Sequence, residues 1–167
     1  MTAKDRQWAR GFARQAISDL RVREQLVDSK AEKCHRLHFL QMAAEKASKA
    51  FLIAGNGHEN VKNSHAYIAT TLPMIARAFY GKLNPKSEIG GWQVQAIRRY
   101  AGEIQLLAPA LNNGDTRRDN SEYPWEDPQG NVCVPCEYSF PNIDDRDQDR
   151  VIVLLIRLIR QAAESYS

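Results

Sequence analysis

Apolar residues return every three or four positions along most of this chain, and from Cys34 to Gly55 they do so on two faces at once. Leu37, Leu40, Ala44, Ala47 and Phe51 form one stripe, with Ala43, Ala47, Ala50 and Ala54 a second beside it, which is the period of an α-helix. A helix that is apolar on two faces needs neighbours on both, so this one is predicted to be central. Its alanine stripe admits a close neighbouring backbone. Glu45 and Lys49 stand at the favourable i,i+4 spacing, and Gly55 offers the left-handed residue that ends helices.

The same period predicts a first helix over Lys4 to Val27, with Trp8, Phe12, Ala16 and Leu20 on one face and Arg10, Arg14, Arg21 and Arg23 around the rest. Gly11 interrupts its interior at about 1 kcal/mol relative to alanine. Asp28-Ser29-Lys30 is a short turn, which makes the first two helices antiparallel neighbours. After the polar loop from Gly55 to Ser64, Ser64 is placed to cap a third helix from His65 to Tyr80, with a kink or restart near Thr71 imposed by Pro73. A fourth helix is predicted from about Ile89 to Leu111 on the register Ile97, Tyr100, Ile104, Leu107 and Leu111.

Residues 112 to 149 carry no period. They hold four prolines, ten acidic residues and the aromatic clusters Tyr123-Pro-Trp125 and Tyr138-Ser-Phe140. Large aromatics are rare in disordered segments, so this irregular acidic stretch is read as a loop that covers exposed core, with a short extended segment over Asn131 to Pro135. The run Val151 to Ile159 is rich in β-branched residues. Four aspartates before it (144, 145, 147 and 149), Arg157 and Arg160 near its end and a polar continuation make it a helix. The predicted fold is all-α: an antiparallel bundle of four to five helices, with a long irregular loop before the last one, in a single domain over 1–167.

Composition narrows the class. No apolar run approaches the length of a membrane span, and the N-terminus lacks the apolar core of a secretory signal, so a cytoplasmic protein without membrane association is expected. Three cysteines in such a chain are expected as reduced thiols. The net charge of +3 hides an asymmetry: residues 1 to 110 carry 17 Lys and Arg against 9 Asp and Glu, and the rest carry 6 against 11. A basic body with an acidic attachment is consistent with a polyanionic partner.

The run Leu40 to Leu52 (LQMAAEKASKAFL), preceded by His35 and His38 and followed by Ser64-His65, resembles the signature of the HEPN (higher eukaryotes and prokaryotes nucleotide-binding) superfamily. The resemblance spans Trp8 to Tyr80 and extends more loosely to Asn120–Trp125 and the last helix. It implies a helical module that pairs into a homodimer through its long helices and binds a nucleotide, RNA or a protein partner. That partner would be a nucleotidyltransferase-like protein, in a toxin–antitoxin or defence setting. Catalytic members are endoribonucleases that use an arginine followed, four to six residues on, by a histidine. Here the matching place is Arg117-Arg118-Asp119-Asn120-Ser121-Glu122-Tyr123, and no histidine occurs after His65. The resemblance therefore implies a degenerate or noncatalytic module. A metal-independent endoribonuclease using Arg118, with Glu122 or His65 moving the proton, is the alternative, and a dimeric scaffold without a ligand site is the second.

Candidate ligand-binding residues are Lys46, Lys49, Lys62, His65, Arg117 and Arg118, a set of cations suited to phosphate. A zinc site can be written from Cys133-Val-Pro-Cys136 with Cys34, His35 and His38, but only one ligand pair has the usual close spacing, so no metal is assigned. No motif points to a cofactor.

Overall fold

The computed structural model describes residues 1–61, 63, 66–109, 119–143 and 149–167. It is an all-α bundle of five long helices: α1 (Ala3–Asp28), α2 (Lys33–Asn56), α3 (Ile68–Leu83), α4 (Gly91–Leu106) and α5 (Arg150–Glu164). A two-residue ribbon, β1 (Trp125–Glu126) against β2 (Val132–Cys133), precedes α5. The pairings Asp5–His58, Phe12–Lys49 and Asp19–Lys46 fix α1 and α2 as antiparallel. Their link includes Lys30 in the left-handed region. The central position of α2 holds as expected: it packs on α1, α3, α4 and α5, and Leu37, Leu40, Ala44 and Ala47 are fully buried beside Ala43 and Ala50. This chain's own helices thus cover most of both apolar faces, with Phe51 and Ala54 at the C-terminal end of the stripes half-buried.

Helix ends differ from the sequence reading in ways that trace to single contacts. α2 runs through Gly55 to Asn56, and it is Gly57 that takes the positive φ of 75°. The reason lies in α1. Asp5 closes a capping box with Thr2, whose backbone N–H donates to its Oδ2 at 2.7 Å, and the same carboxylate accepts from the His58 backbone N–H at 2.9 Å and from His58 Nδ1 at 2.7 Å. The chain must turn before His58 meets Asp5, three residues after Gly55. These bonds, His58's first and then Thr2's, hold the Asp5 carboxyl well below the usual carboxylate range.

A depressed folded value means that ionised Asp5 stabilises the fold in full above the ordinary carboxyl value of 3.8. The contribution declines below that pH and is gone once the pH passes under the folded value. Thermal melts of wild type and Asp5→Asn should therefore differ at about pH 4 and above, with the gap closing on further acidification. A gap independent of pH throughout would remove the carboxylate from this role.

α3 begins at Ile68 and passes unbroken through Pro73. Proline removes one backbone bond, but the Thr71 N–H still donates to the Tyr67 carbonyl at 2.9 Å, and Gln105 Oε1 of α4 accepts from the Ala69 N–H at 3.0 Å. The predicted Ser64 cap and the His65 start lie outside the described residues. α4 stops at Leu106, short of the predicted Leu111. Its last turn tightens, with Leu107 N–H donating to Ile104 and Ala108 N–H to Gln105. Pro109 has no N–H to continue the ladder and disfavours helical backbone at the residue before it. α5 is a helix as expected, capped by Asp149, whose Oδ1 accepts from Val151 and Ile152 N–H while Oδ2 accepts from Tyr100 Oη of α4 at 3.0 Å. Asp144, Asp145 and Asp147 lie outside the described residues.

The described part of the acidic loop is a cover. Trp125 and Tyr138 meet edge to face at 5.0 Å, Tyr138 and Phe140 likewise at 5.0 Å, and Phe140 is fully buried in the main core. The β-ribbon turns at Asp127-Pro-Gln-Gly130, with Gly130 at φ 84° and its N–H donating to the Asp127 carbonyl at 3.0 Å, a proline-led turn closed by a left-handed glycine. Lys33 Nζ of α2 donates to the Ser139 and Phe140 carbonyls at 2.9 and 3.0 Å, which ties this pad to the start of the central helix.

Candidate functional site

A third stripe runs down α2, and it is polar. His38, Gln41, Glu45, Ser48 and Leu52 follow the same 3-4-3-4 spacing as the apolar faces. On an ordinary amphipathic helix it would face water. Here Gln41, Glu45, Ser48 and the neighbouring Lys49 are all buried. Gln41 Nε2 donates to Glu45 Oε2 at 3.2 Å, Lys49 Nζ pairs with Glu45 Oε1 at 2.9 Å, and the ammonium lies 5.3 Å from the centre of the Phe12 ring. Glu45 and Lys49 do form the predicted i,i+4 pair, but inside the bundle.

Other polar atoms near this stripe have no hydrogen-bond partner among the described residues: His38 Nδ1, Gln41 Oε1 and Ser48 Oγ on α2, Thr71 Oγ1 on α3, and Ser121 Oγ. Leu52 and Thr71 line one cavity, and Ser48 stands one turn before Leu52. Leaving such a group unmatched costs about 1–3 kcal/mol, so they gather where function rather than stability sets the residue type.

The segment Asp119–Tyr123 crosses the N-terminal half of this stripe. Asn120 shapes it: its Oδ1 accepts from the Glu122 and Tyr123 N–H groups at 2.9 and 2.8 Å, an Asx turn. The Ser121 N–H donates to the Leu107 carbonyl at the end of α4 at 3.3 Å. Glu122 Oε1 is thereby held 3.6 Å from His38 Nδ1, just beyond hydrogen-bond reach, with 29% of the His38 side chain and 30% of the Glu122 side chain exposed. A carboxylate beside one imidazole nitrogen orients the ring and favours proton transfer at the other nitrogen. This is the one place among the described residues where a predicted catalytic candidate meets a histidine.

The remaining candidates scatter. Lys46 is tied to Asp19 at 2.6 Å, and Gln15 Nε2 donates to the same carboxylate at 3.0 Å. Lys49 is buried as described, so either amine must part from its carboxylate before it meets an anion. Lys62, His65, Arg117 and Arg118 lie outside the described residues; the last two immediately precede the segment that carries Glu122. Cys34 is buried, Cys133 half-buried and Cys136 exposed. Burial pushes the Cys34 thiol up, and the nearby Cys136 adds to the shift. Among the described residues no group of three or more His, Cys, Asp and Glu side chains is arranged to hold a metal ion.

Sequence reasoning missed the buried polar stripe and the His58 clasp. The stripe had a signal, because a helix with two filled apolar faces has little surface left for a solvated one. The clasp had none, since nothing in the local pattern links Asp5 to His58. No helix among the described residues is long and apolar enough to cross a membrane. No known protein family, curated protein or solved structure matches the chain.

Proposed function

We propose that this chain is a noncatalytic HEPN-like helical module that binds RNA or a nucleotide where Asp119–Tyr123 crosses the N-terminal half of α2. The observation that carries this reading is the half-exposed His38–Glu122 pair. Glu122 comes four residues after Arg118 in the sequence, in a chain whose first 110 residues hold 17 cations against 9 anions. Arginine and imidazole suit a phosphodiester, and the buried polar atoms of the α2 stripe suit the hydroxyls and base edges of a nucleotide. A protein partner in a toxin–antitoxin or defence setting remains part of the same family-level proposal.

The same pair favours a second reading, the endoribonuclease. The position where the catalytic motif expects a histidine holds Glu122, and an imidazole from α2 stands against it, so His38 in place of His65 would move the 2′-hydroxyl proton while Arg118 stabilises the phosphate.

One assay separates the two readings: anisotropy and cleavage of a labelled single-stranded RNA with metal chelated, for wild type, Arg118→Ala and His38→Ala. The binding module predicts salt-sensitive association without cleavage, weakened by Arg118→Ala across all sequences with a salt slope smaller by about one. Cleavage abolished by both variants would replace it with the nuclease. Absence of binding at low salt would reject both.

A further inference from the structure

We propose that the groove on α1 lined by Lys4, Gln7, Trp8, Gly11, Phe12 and Lys46 is a subsite for one unpaired base of a single-stranded RNA, a proposal that rests on the RNA-binding reading above. The groove encloses about 370 Å³. Its walls are rings in a ladder: Trp8 lies between His58, at 6.0 Å and 13° between planes, and Phe12, at 5.8 Å and 30°. At those separations the rings are offset rather than face to face, and Trp8 keeps 36% of its surface exposed. The His58 end of the ladder is anchored by Asp5 at 2.7 Å and by Glu59 at 2.9 Å, so the platform is held in place before any ligand arrives.

The floor is Gly11. A Cβ built there meets nothing within 4 Å, so no packing inside this chain requires a glycine that weakens the helix. What the missing side chain does is keep the groove open between Trp8 and Phe12, one turn apart. The surrounding charge selects the ligand. Lys4 lines the groove and is exposed, as is Arg14 further along α1, whereas Arg6 and Arg10 line a separate pocket. The two carboxylates that partner His58 and Lys46 here, Asp5 and Asp19, are buried, and the exposed Glu59 is engaged by the other His58 nitrogen. Cations for phosphates, aromatic surface for a base and the Gln7 amide for a base edge make up the usual equipment for single strands. A docked acidic helix would use the same cations, but it inserts a row of apolar anchors at i, i+3, i+4 and i+7 into an apolar groove, whereas the large apolar side chains lining this groove are Trp8 and Phe12, with Lys4, Gln7, Gly11, Gln15 and Lys46 as the rest of its lining. Lys46 lies two turns from His38 on α2, about 12 Å along the axis, so one strand can reach both sites.

The test is Gly11→Leu, which fills the floor with a good helix former, with Gln7→Ala as an exposed second variant. The probe is a short poly(A) RNA followed by anisotropy, with polyaspartate as a charge-only competitor. Wild type should bind the RNA, and Gly11→Leu should weaken it about tenfold or more, the loss expected for one stacked base, without a lower melting temperature and without altered polyaspartate binding. Gln7→Ala should weaken the RNA by a smaller factor in the same direction. Unchanged RNA affinity in both variants would overturn the subsite while leaving the RNA-binding reading standing. No RNA binding by wild type would remove both. An acidic helical peptide that displaces RNA from wild type and fails to bind Gly11→Leu would overturn the base site in favour of a protein-docking groove.

Discussion

Lys49→Ala should lower the unfolding free energy by about 3–5 kcal/mol, the range for removing one partner of a buried ion pair. Lys49 and Glu45 are 4% and 7% exposed and meet at 2.9 Å on the inner stripe of α2. Without the ammonium, Glu45 is left without its ion-pair partner in a site built around that contact, and Phe12 loses the cation over its ring. The double variant Lys49→Met with Glu45→Leu should recover most of the loss, because replacing both members by apolar groups of similar volume removes the desolvation cost along with the attraction. Urea denaturation of the two variants makes the comparison. A loss under about 1 kcal/mol for Lys49→Ala would be that of a surface pair and would contradict the burial.

Phe140→Ala should cost a similar amount, about 3–5 kcal/mol as for other buried phenylalanines, and its effect should be visible from one place. Phe140 is 1% exposed and joins Trp125 and Tyr138 in a three-ring cluster. Its backbone sits at φ 45°, a conformation non-glycine residues seldom adopt, and Lys33 donates to its carbonyl. With the ring gone the pad loses its anchor in the core, and Trp125 should gain exposure. In a Trp8→Phe, Trp92→Phe background, the single remaining tryptophan should shift its emission to longer wavelength well before the helices melt. Simultaneous loss of both signals would make the pad part of the same cooperative unit as the bundle.

The pad was legible because its chemistry is coarse. Trp125, Tyr138 and Phe140 are large apolar groups in an aperiodic acidic stretch, and such groups have few places to go except onto a core. The last helix was legible for a different reason. Asp149 stands two residues before Val151, and a carboxylate that accepts from the first free N–H groups is a local device that acts the same way in any fold. Two of the helix ends that shifted were set by partners from elsewhere, Asp5 drawing the turn to Gly57 and Gln105 of α4 receiving the Ala69 N–H that opens α3, whereas the end of α4 answers to its own Pro109.

The sequence by itself determined the all-α class, a bundle of four to five helices, the antiparallel first pair and the central place of α2. Each follows from the spacing of apolar residues or from a connection too short to allow another arrangement, and such effects act within a few residues. Only the tertiary structure decided that the third face of α2 is buried as well. That outcome turns Gln41, Glu45, Ser48 and Lys49 from a solvated edge into an interior polar stripe, and it depends on what the other helices and the segment Asp119–Tyr123 bring against them. The same packing put Glu122 beside His38 and stacked His58 on Trp8. Local pattern encodes which face a residue occupies; the meeting of distant faces is set by how the whole core closes, and the candidate chemistry of this protein lies in those meetings.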